Sequence, residues 1–247
     1  MSPEAMAHTV CVVLARGGSK GIPAKNLADF CSKPLLAWTL EQALAATRID
    51  QVWVSSDSDA VLDLARSLGA GTIRRPAALA GDGASSESGW LHALEVLEGE
   101  GTTVDLMVGP QCTSPVRQAA DFDRAIERFQ AEGLDSLFSA TLLPHFNFWR
   151  TDARGRFASF NYDYRRRGFR QDQPPQYLEN GSFYLMKPEI LRRHNNRLGG
   201  RIGVYCMDFW KSFQIDEAED LRFCETLMRA YLPNDVAAAR TGQDTGS

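Results

Sequence analysis

Short apolar runs alternate with amphipathic segments along most of the chain. Thr9 to Ala15 is continuously apolar and rich in β-branched side chains, which is typical of a strand buried on both faces. Helical spacing of apolar residues predicts a helix over Leu35 to Ala46, with Pro34 at its start. A second short strand is predicted over Gln51 to Ser55, and a helix over Ala60 to Leu68 follows it.

The same alternation continues through the next part of the chain. The pattern predicts two further helices, over Glu87 to Glu98 and Ala119 to Ala131, and two further strands, over Val104 to Val108 and Ser136 to Thr141. Strands that alternate with amphipathic helices are typical of βαβ units and a mainly parallel sheet. Because ligands bind at the carboxyl ends of such strands, we expect the loops that follow them to meet at one edge.

The alternation breaks after Pro144. Residues 145–178 are aromatic and rich in arginine, and we interpret them as an inserted arm or small subdomain. The pattern beyond the arm predicts two strands and a final helix, over Gly181 to Met186, Val204 to Asp208 and Glu217 to Tyr231. We therefore predict one α/β domain over residues 9–232, with flexible termini at 1–8 and 233–247.

Composition and charge mainly exclude certain classes of protein and of site. The 247 residues are 44% hydrophobic, which suits one α/β domain with a substantial core. The apolar run near the N-terminus is too short to span a bilayer and no basic stretch precedes it, so we expect a cytoplasmic protein with no membrane partner. A net charge of −4 argues against nucleic-acid binding. Five scattered cysteines without a C-x-x-C pair indicate neither a disulfide framework nor a zinc site.

The strongest chemical signal is the loop after the first strand, which reads ARGGSKGIPAKNL from Ala15 to Leu27. Its glycines let backbone N–H groups approach an anion closely, and Arg16, Lys20 and Lys25 add positive charge. This combination suits a triphosphate, although it matches neither G-x-x-x-x-G-K-[ST] nor G-x-G-x-x-G. The alternative is a flexible, solvated basic loop.

Three further segments carry weaker signals. The small polar residues of 79–86 either cap a helix through Ser85 or Ser86 or leave room for a flat base. The proline-framed turn at 109–117 is either an ordinary turn or part of a site at the sheet edge. Asp216 is a candidate Mg²⁺ ligand, whereas the carboxylates that follow it suit the positive end of a helix.

Taken together and in order, these blocks resemble the acylneuraminate cytidylyltransferases, also called CMP-sialic acid synthetases. The blocks that carry the resemblance are ARGGSKGIPAKNL, VSSDSD, RRPAALAGDGASS, QCTSPVR, RQDQPPQYLENGSFY and QIDEAEDL. The resemblance covers nearly all of Val10 to Leu232. It implies an α/β, Rossmann-like nucleotidyltransferase fold with a mainly parallel sheet. It also implies a homodimer in which the inserted arm of each subunit helps to close its neighbour's sugar site.

The resemblance implies an enzyme that transfers CMP from CTP to the anomeric hydroxyl of a sialic-acid-like nonulosonic acid, with Mg²⁺ and release of pyrophosphate. The residues implied to act in catalysis are Lys20, Arg16 and Asp216, of which Asp216 also binds the metal. Those implied to bind the nucleotide are Arg16, Gly17, Ser19, Lys20, Lys25, Asn26, Arg75, Ala84 and Ser86. Those implied to face the sugar are Gln111, Arg170, Asn180 and Tyr184.

Four positions depart from the family pattern. Gln214 stands where the family often has the first Asp of D-I-D, which puts a second metal ligand in doubt. Cys112 replaces a proline, and Ala24 replaces a glycine. Trp149 falls where some sialate-activating members have lysine, which favours a different acidic acceptor, either another ulosonic acid or a phosphonate. A further alternative, besides CMP transfer to a sialic-acid-like sugar or to a different acceptor, is a catalytically silent nucleotide-sugar binding protein.

Overall fold

The computed structural model describes residues 7–143, 146–166, 168–169 and 174–241. Within these ranges the strands are β1 (Thr9–Leu14), β2 (Asp29–Phe30), β3 (Lys33–Pro34), β4 (Gln51–Ser56), β5 (Gly71–Arg74), β6 (Leu106–Pro110), β7 (Ser136–Leu142), β8 (Trp149–Thr151), β9 (Phe157–Ser159), β10 (Tyr177–Met186) and β11 (Ile202–Met207). The helices are α1 (Leu35–Leu44), α2 (Asp59–Ser67), α3 (Ser86–Gly99), α4 (Ala119–Ala131), α5 (Pro188–His194), α6 (Ala218–Tyr231) and α7 (Pro233–Thr241).

Seven strands form the central sheet in the order β11-β7-β10-β6-β1-β4-β5. β1 pairs in parallel with both β4 and β6, β4 with β5, and β7 with β11. β10 lies antiparallel between β6 and β7, so the other six strands share one direction. This arrangement confirms the predicted α/β class and its mainly parallel sheet. The reversed β10 was not predicted, because a buried apolar run does not show which way a strand runs.

The sheet is covered on both faces, and β1 shows why its sequence is apolar throughout. Cys11 and Val13 pack into one core cluster with side chains from α1, α2 and α4. Val10 and Val12 pack on the opposite face with side chains from α3 and α5. Each fully buried valine stabilises the fold by about 1.5–3 kcal/mol, so this strand anchors the loop that follows it.

A third core cluster lies beside the sheet and joins α1 to the C-terminal helices. Trp38 of α1 packs there with Met228 of α6 and Val236 of α7. The prediction of a flexible end after 233 is therefore wrong for 233–241, which form α7. The error has a physical cause, since the segment is rich in alanine and offers few large apolar residues to mark a helix face.

The predicted arm is only partly separate from the sheet. β8 and β9 pair as a short antiparallel hairpin, whereas the first residues of β10, Tyr177 and Leu178, pair with the end of β7. The predicted strand from Gly181 thus begins earlier, at Tyr177. Among the helices that are described, none has both the length and the apolar character needed to cross a bilayer.

Candidate active site

An open cavity of about 350 Å³ lies at the sheet edge where β1 and β6 end. Its walls are the loop after β1, the loop between β5 and α3, and the turn after β6. β1 and β6 are adjacent and parallel, so both strands deliver their following loops to the same place. Of the residues implied to bind nucleotide, those that line the cavity are Arg16, Ser19, Lys25, Asn26, Arg75, Ala84 and Ser86. Gly17 and Lys20 lie just outside this lining.

The loop after β1 lies close against two other segments, and small residues make this possible. The Gly17 backbone N–H donates to Asp57 Oδ1 at 2.9 Å. A Cβ at Gly21 would overlap the carbonyl oxygen of Asp216. Ala24 has a φ of +47°, the left-handed region that favours glycine, which explains physically why a glycine is expected at this position.

Two cations of this loop share one carboxylate. Arg16 Nη1 lies 2.8 Å from Asp82 Oδ1, and Lys20 Nζ lies 2.9 Å from Asp82 Oδ2. The hydrogen bonds from Lys20 and Arg16 hold the pKa of the Asp82 carboxyl below its ordinary value. The Asp82 side chain is 54% exposed and that of Lys20 78%, so both ion pairs are screened by water. Asp82 was not among the predicted site residues, although it lies within one of the quoted blocks.

Lys25 and Asn26 hold the far end of the loop from inside. Lys25 Nζ donates to the Ile215 carbonyl oxygen at 2.9 Å and to Asp216 Oδ1 at 3.1 Å. Asn26 Nδ2 donates to the Arg16 carbonyl oxygen at 2.9 Å. The Lys25 side chain is only 12% exposed, so its charge acts on the cavity from a fixed position.

Arg75 places a buried guanidinium at the second wall of the cavity. β5 ends just before it, and its backbone N–H donates to the Ser56 carbonyl oxygen at 2.9 Å. The residue is buried, and its Nε has no hydrogen-bond partner within the described part of the chain. Burial lowers the pKa of the guanidinium, against the opposing effect of the Asp57 carboxylate. The residue lines the cavity, so its guanidinium places positive charge at this wall.

The start of α3 forms the rest of this wall. Ser85 Oγ accepts a hydrogen bond from the Ser88 backbone N–H at 3.1 Å, so Ser85 is the helix cap and Ser86 the first helical residue. Trp90, one turn further on, also lines the cavity, and its Nε1 donates to the Val12 carbonyl oxygen at 3.1 Å. The sequence analysis did not include Trp90, although a spacing of four from Ser86 places both on one helix face.

A buried arginine fixes the turn after β6. Arg117 Nη1 donates to three main-chain carbonyls, those of Gln111 at 3.1 Å, Ser114 at 2.5 Å and Ser182 at 3.2 Å. Burial lowers the pKa of Arg117 to about 10, which leaves it charged near neutral pH. Cys112 in the same turn is buried, and burial raises its pKa to about 11. Its thiol therefore stays protonated and is not a nucleophile.

Two amide side chains meet above Gly181, at the third wall. Gly181 has a φ of +65°, and a Cβ there would lie 2.6 Å from Gln214 Nε2 and 3.1 Å from Gln111 Oε1. Gln214 Nε2 donates to the Asn180 carbonyl oxygen at 2.8 Å. Gln111 lines the cavity, so one of the residues implied to face the sugar is in position to do so.

Asn180, by contrast, is buried in the sheet with its side-chain groups bonded inside the protein. Its Oδ1 accepts hydrogen bonds from Ser139 Oγ at 2.6 Å and from the Ser182 backbone N–H at 3.1 Å. Its Nδ2 donates to Met207 Sδ at 3.4 Å. Asn180 is not part of the cavity lining, and in this arrangement it joins β10 to β7 and β11.

Tyr184 is also buried and lies beneath the cavity wall rather than on it. Its hydroxyl donates to Glu179 Oε1 at 2.5 Å, and its ring lies edge-on to Trp90 at 6.3 Å between centroids. Burial and the Glu179 carboxylate both raise the pKa of the Tyr184 hydroxyl. The guanidinium of Arg197 covers its ring at 4.6 Å. Arg170, the remaining residue implied to face the sugar, lies outside the described residues.

The donor set near Asp216 fits Mg²⁺ in a limited way. No group of three or more His, Cys, Asp or Glu side chains suited to a metal occurs in the described part of the chain. Mg²⁺ often uses only one or two protein carboxylates together with phosphate oxygens, and the Asp216 carboxylate is 74% exposed. Asp220 caps α6 instead, since its Oδ2 accepts from the backbone N–H groups of Asp216 at 3.0 Å and Glu217 at 2.9 Å. This agrees with the predicted helix-end role for the later carboxylates.

Comparison with known proteins gives matches over most of the chain. The model of a family described as cytidylyltransferase matches residues 10–236. The chain is 33% identical over 202 residues to N-acylneuraminate cytidylyltransferase of Oncorhynchus mykiss, an alignment that covers 81% of this chain and 45% of that protein. It is 28% identical over 224 residues to pseudaminic acid cytidylyltransferase of Campylobacter jejuni subsp. jejuni, with 89% and 96% covered. The chain thus spans about half the length of the first relative and nearly all of the second.

Solved structures show the same fold at lower identity. CMP:2-keto-3-deoxy-manno-octonic acid synthetase, in complex with CTP, has a TM-score of 0.67 at 17% identity, covering 91% of this chain and 99% of that one. A 4-diphosphocytidyl-2C-methyl-D-erythritol synthase has a TM-score of 0.66 at 13% identity, covering 90% and 99%. These similarities confirm the predicted Rossmann-like nucleotidyltransferase fold.

Proposed function

We propose that this chain, which belongs to the cytidylyltransferase family, transfers CMP from CTP to a hydroxyl of an acidic nine-carbon sugar and releases pyrophosphate. The observation that carries this proposal is the cavity at the end of β1, in which basic side chains, a buried arginine and the start of α3 meet. Both curated relatives described above carry names of cytidylyltransferases that act on nonulosonic acids. Sialic or pseudaminic acid is therefore the proposed substrate class.

The two ends of the cavity support different parts of the reaction. Arg16, Lys20 and Lys25 would hold the triphosphate, because the pyrophosphate leaving group gains charge as its bond to the α-phosphorus breaks. Arg75 and the backbone near Ala84 would bind the nucleoside, since both residues line the second wall of the cavity. The catalytic contribution of this chain is thus mainly positioning and electrostatic stabilisation.

The acceptor would enter beside Gln111 and Gln214. The hydroxyl next to the anomeric carboxylate of a 2-keto acid sugar is a weak nucleophile, so it must lie in line with the α-phosphate. The amides above Gly181 offer neutral hydrogen-bonding groups for sugar hydroxyls. Arg170, which the family resemblance assigns to the sugar site, would pair with the carboxylate.

Asp216 would hold Mg²⁺ together with phosphate oxygens of the nucleotide. When bound, the ion supplies charge neutralisation on the triphosphate. Lys25 contacts the same carboxylate at 3.1 Å, so it would orient Asp216 toward the phosphate loop. Gln214 offers at most a neutral oxygen, and this favours one metal ion over two.

We propose that the arm packs against a second copy of the chain. Large apolar side chains on and beside the β8–β9 hairpin stay exposed: Phe146, Phe148, Trp149, Phe157, Phe160, Tyr164 and Phe169. Exposed apolar patches of this kind mark interaction sites. The homodimer implied by the resemblance would cover them.

One observation favours a variant acceptor. Trp149 lies in the arm with its ring 6.0 Å from that of Tyr162 and 5.5 Å from that of Tyr164, where a cation is expected in some sialate-activating relatives. The aromatic ring in place of that cation favours a different acidic acceptor, either another ulosonic acid or a phosphonate. The chemistry of CMP transfer would be the same.

Pyrophosphate release tests the proposal directly. The protein is supplied with CTP and Mg²⁺ and with N-acetylneuraminate, its deaminated analogue, legionaminate, pseudaminate or an aminoalkylphosphonate, one at a time. Release with one sugar, lost when Mg²⁺ is omitted or GTP replaces CTP, is the expected result. Binding of CTP without release for every acceptor would contradict the proposal and favour a nucleotide-sugar binding protein.

A further inference from the structure

We propose that Asp82 is a positioning residue that stands in for the nucleotide phosphates: it holds Arg16 and Lys20 together in the empty enzyme and is displaced by the triphosphate. The inference deepens the proposed function and rests on it. It assigns a role to a residue that the family resemblance left without one. It also makes the affinity for polyphosphate the outcome of a competition inside the protein.

The geometry around Asp82 is that of a small anion site already filled. Each carboxylate oxygen bonds a different cation, Oδ1 with Arg16 at 2.8 Å and Oδ2 with Lys20 at 2.9 Å. These partners lie 66 and 62 residues away in sequence, in the loop proposed to bind phosphate. Two oxygens of one phosphate group present the same charge and a similar spacing to such cations. A triphosphate and Asp82 therefore compete for the same donors.

The local chain around Asp82 permits it to move. Gly81 and Gly83 flank it, and a Cβ at either would find no atom within 4 Å. The Ala84 backbone N–H donates to the Gly81 carbonyl oxygen at 3.1 Å, so the residue sits at the tip of a turn rather than in the core. Exposed ion pairs are individually weak, so a ligand with several phosphate charges is able to displace them.

Asp57 provides an internal contrast. It too places a carboxylate on the phosphate loop, since its Oδ1 accepts from the Gly17 N–H at 2.9 Å. That contact is part-buried and involves the main chain, and Asp57 also lies near the buried Arg75. Asp57 thus stabilises the main chain of the loop, whereas Asp82 pairs with the exposed cations of the loop. Of these two carboxylates, Asp82 is the one with the exposure and the glycine neighbours of a residue that exchanges with ligand.

Competition predicts a specific pattern of affinities. Asp82→Asn keeps the shape of the side chain and removes the competing charge. We expect CTP and inorganic pyrophosphate to bind about threefold to tenfold more tightly to this variant, consistent with the loss of one or two exposed ion pairs. Cytidine, which has no phosphate, should bind as it does to wild type. A merely structural role of Asp82 would weaken all three or leave all three unchanged.

Isothermal titration calorimetry with CTP, pyrophosphate and cytidine tests this on the full chain. Asp63→Asn is the matched control, because Asp63 is an exposed carboxylate of α2 paired with Arg66, and the charge change is the same. Equal or weaker pyrophosphate binding by Asp82→Asn would overturn the inference, as would an equal gain in Asp63→Asn. Thermal unfolding of both variants checks that they fold, as their exposure leads us to expect.

A double-mutant cycle separates direct competition from a general effect of net charge. In a Lys20→Ala background, the gain from Asp82→Asn should shrink to less than half, because one of the two contested cations is gone. An undiminished gain would contradict the direct contact.

These binding measurements need no turnover. If pyrophosphate binds and the variants behave as expected while no acceptor supports release, only the proposed transferase function fails; if wild type binds neither CTP nor pyrophosphate, both fail.

Discussion

The phosphate end of the cavity and the β10 side beneath it treat polar groups in opposite ways. At the phosphate end, Arg16, Lys20 and Asp82 are partly or largely exposed and joined by ion pairs that water screens. On the β10 side, Asn180 and Tyr184 are buried and bonded to protein partners. The first region keeps its charges exchangeable for a ligand. The second uses its polar groups to fix the strands that carry the site.

The difference follows from the cost of burying polar groups. A buried donor or acceptor without a partner costs about 1–3 kcal/mol, so the amide of Asn180 must be bonded for β10 to sit between β6 and β7. An exposed cation has no such requirement, since water serves as its partner. Arg75 lies between these cases, since it lines the cavity and is buried, yet its Nε has no hydrogen-bond partner among the described residues.

The largest effect is expected at the phosphate end. Lys20→Ala should lower kcat/KM for CTP by on the order of 10²-fold, with a lower kcat as well as a higher KM, because the cation meets charge on the leaving group. Its free energy of unfolding should stay within about 0.5 kcal/mol of wild type. Steady-state kinetics and urea unfolding measure the two quantities. Wild-type kinetics would contradict the phosphate assignment.

The β10 side should respond in the opposite manner. Asn180→Ala should lower the free energy of unfolding by about 2 kcal/mol, because the Ser182 N–H and Ser139 hydroxyl lose a buried acceptor. Gln111→Ala, at the cavity surface, is the matched control and should raise the KM for the sugar with unchanged stability. If Asn180→Ala instead kept full stability and raised the sugar KM, Asn180 would face the sugar as the resemblance implies, and the comparison would break.

The smallest effect is a pH dependence of stability on the β10 side. Glu87 pairs with Arg197, which covers the ring of Tyr184. Burial raises the pKa of Glu87, but the hydrogen bonds and charge of Arg197 outweigh it and hold the pKa below its ordinary value of 4.5. The pair therefore stabilises the fold fully above that value, and its contribution is lost as the pH falls through the depressed pKa.

The measurement is the difference in unfolding free energy between wild type and Glu87→Gln from pH 7 to pH 3. This difference should be greatest at neutral pH and should shrink toward acid, as the Glu87 carboxylate takes up a proton. A difference that grew on acidification would show that Glu87 is destabilising in its charged form. The contrast between the regions would then need revision, because this charged group on the β10 side would not stabilise the fold.

Sequence reasoning recovered the parts of the fold that depend on local pattern. The βα alternation predicted β1, β4, β6 and β7 with errors of one or two residues, because buried parallel strands read as continuous apolar runs. It missed the four-residue strand β5, the short strands β2, β3, β8 and β9, and the helices α5 and α7. The reversed direction of β10 depends on how the chain returns to the sheet, which no local pattern records.

For the site, the sequence by itself determined the chemistry: a glycine-rich basic loop after a buried strand, and a carboxylate ahead of the last long helix. Only the tertiary structure decided which groups meet. Lys25 contacts Asp216 across 191 residues, and Arg16 contacts Asp82 across 66. The tertiary structure likewise decided that Asn180 is buried while Gln111 lines the cavity. The physical reason is that residue type and spacing record local preference, whereas burial and partner depend on contacts between segments distant in the chain.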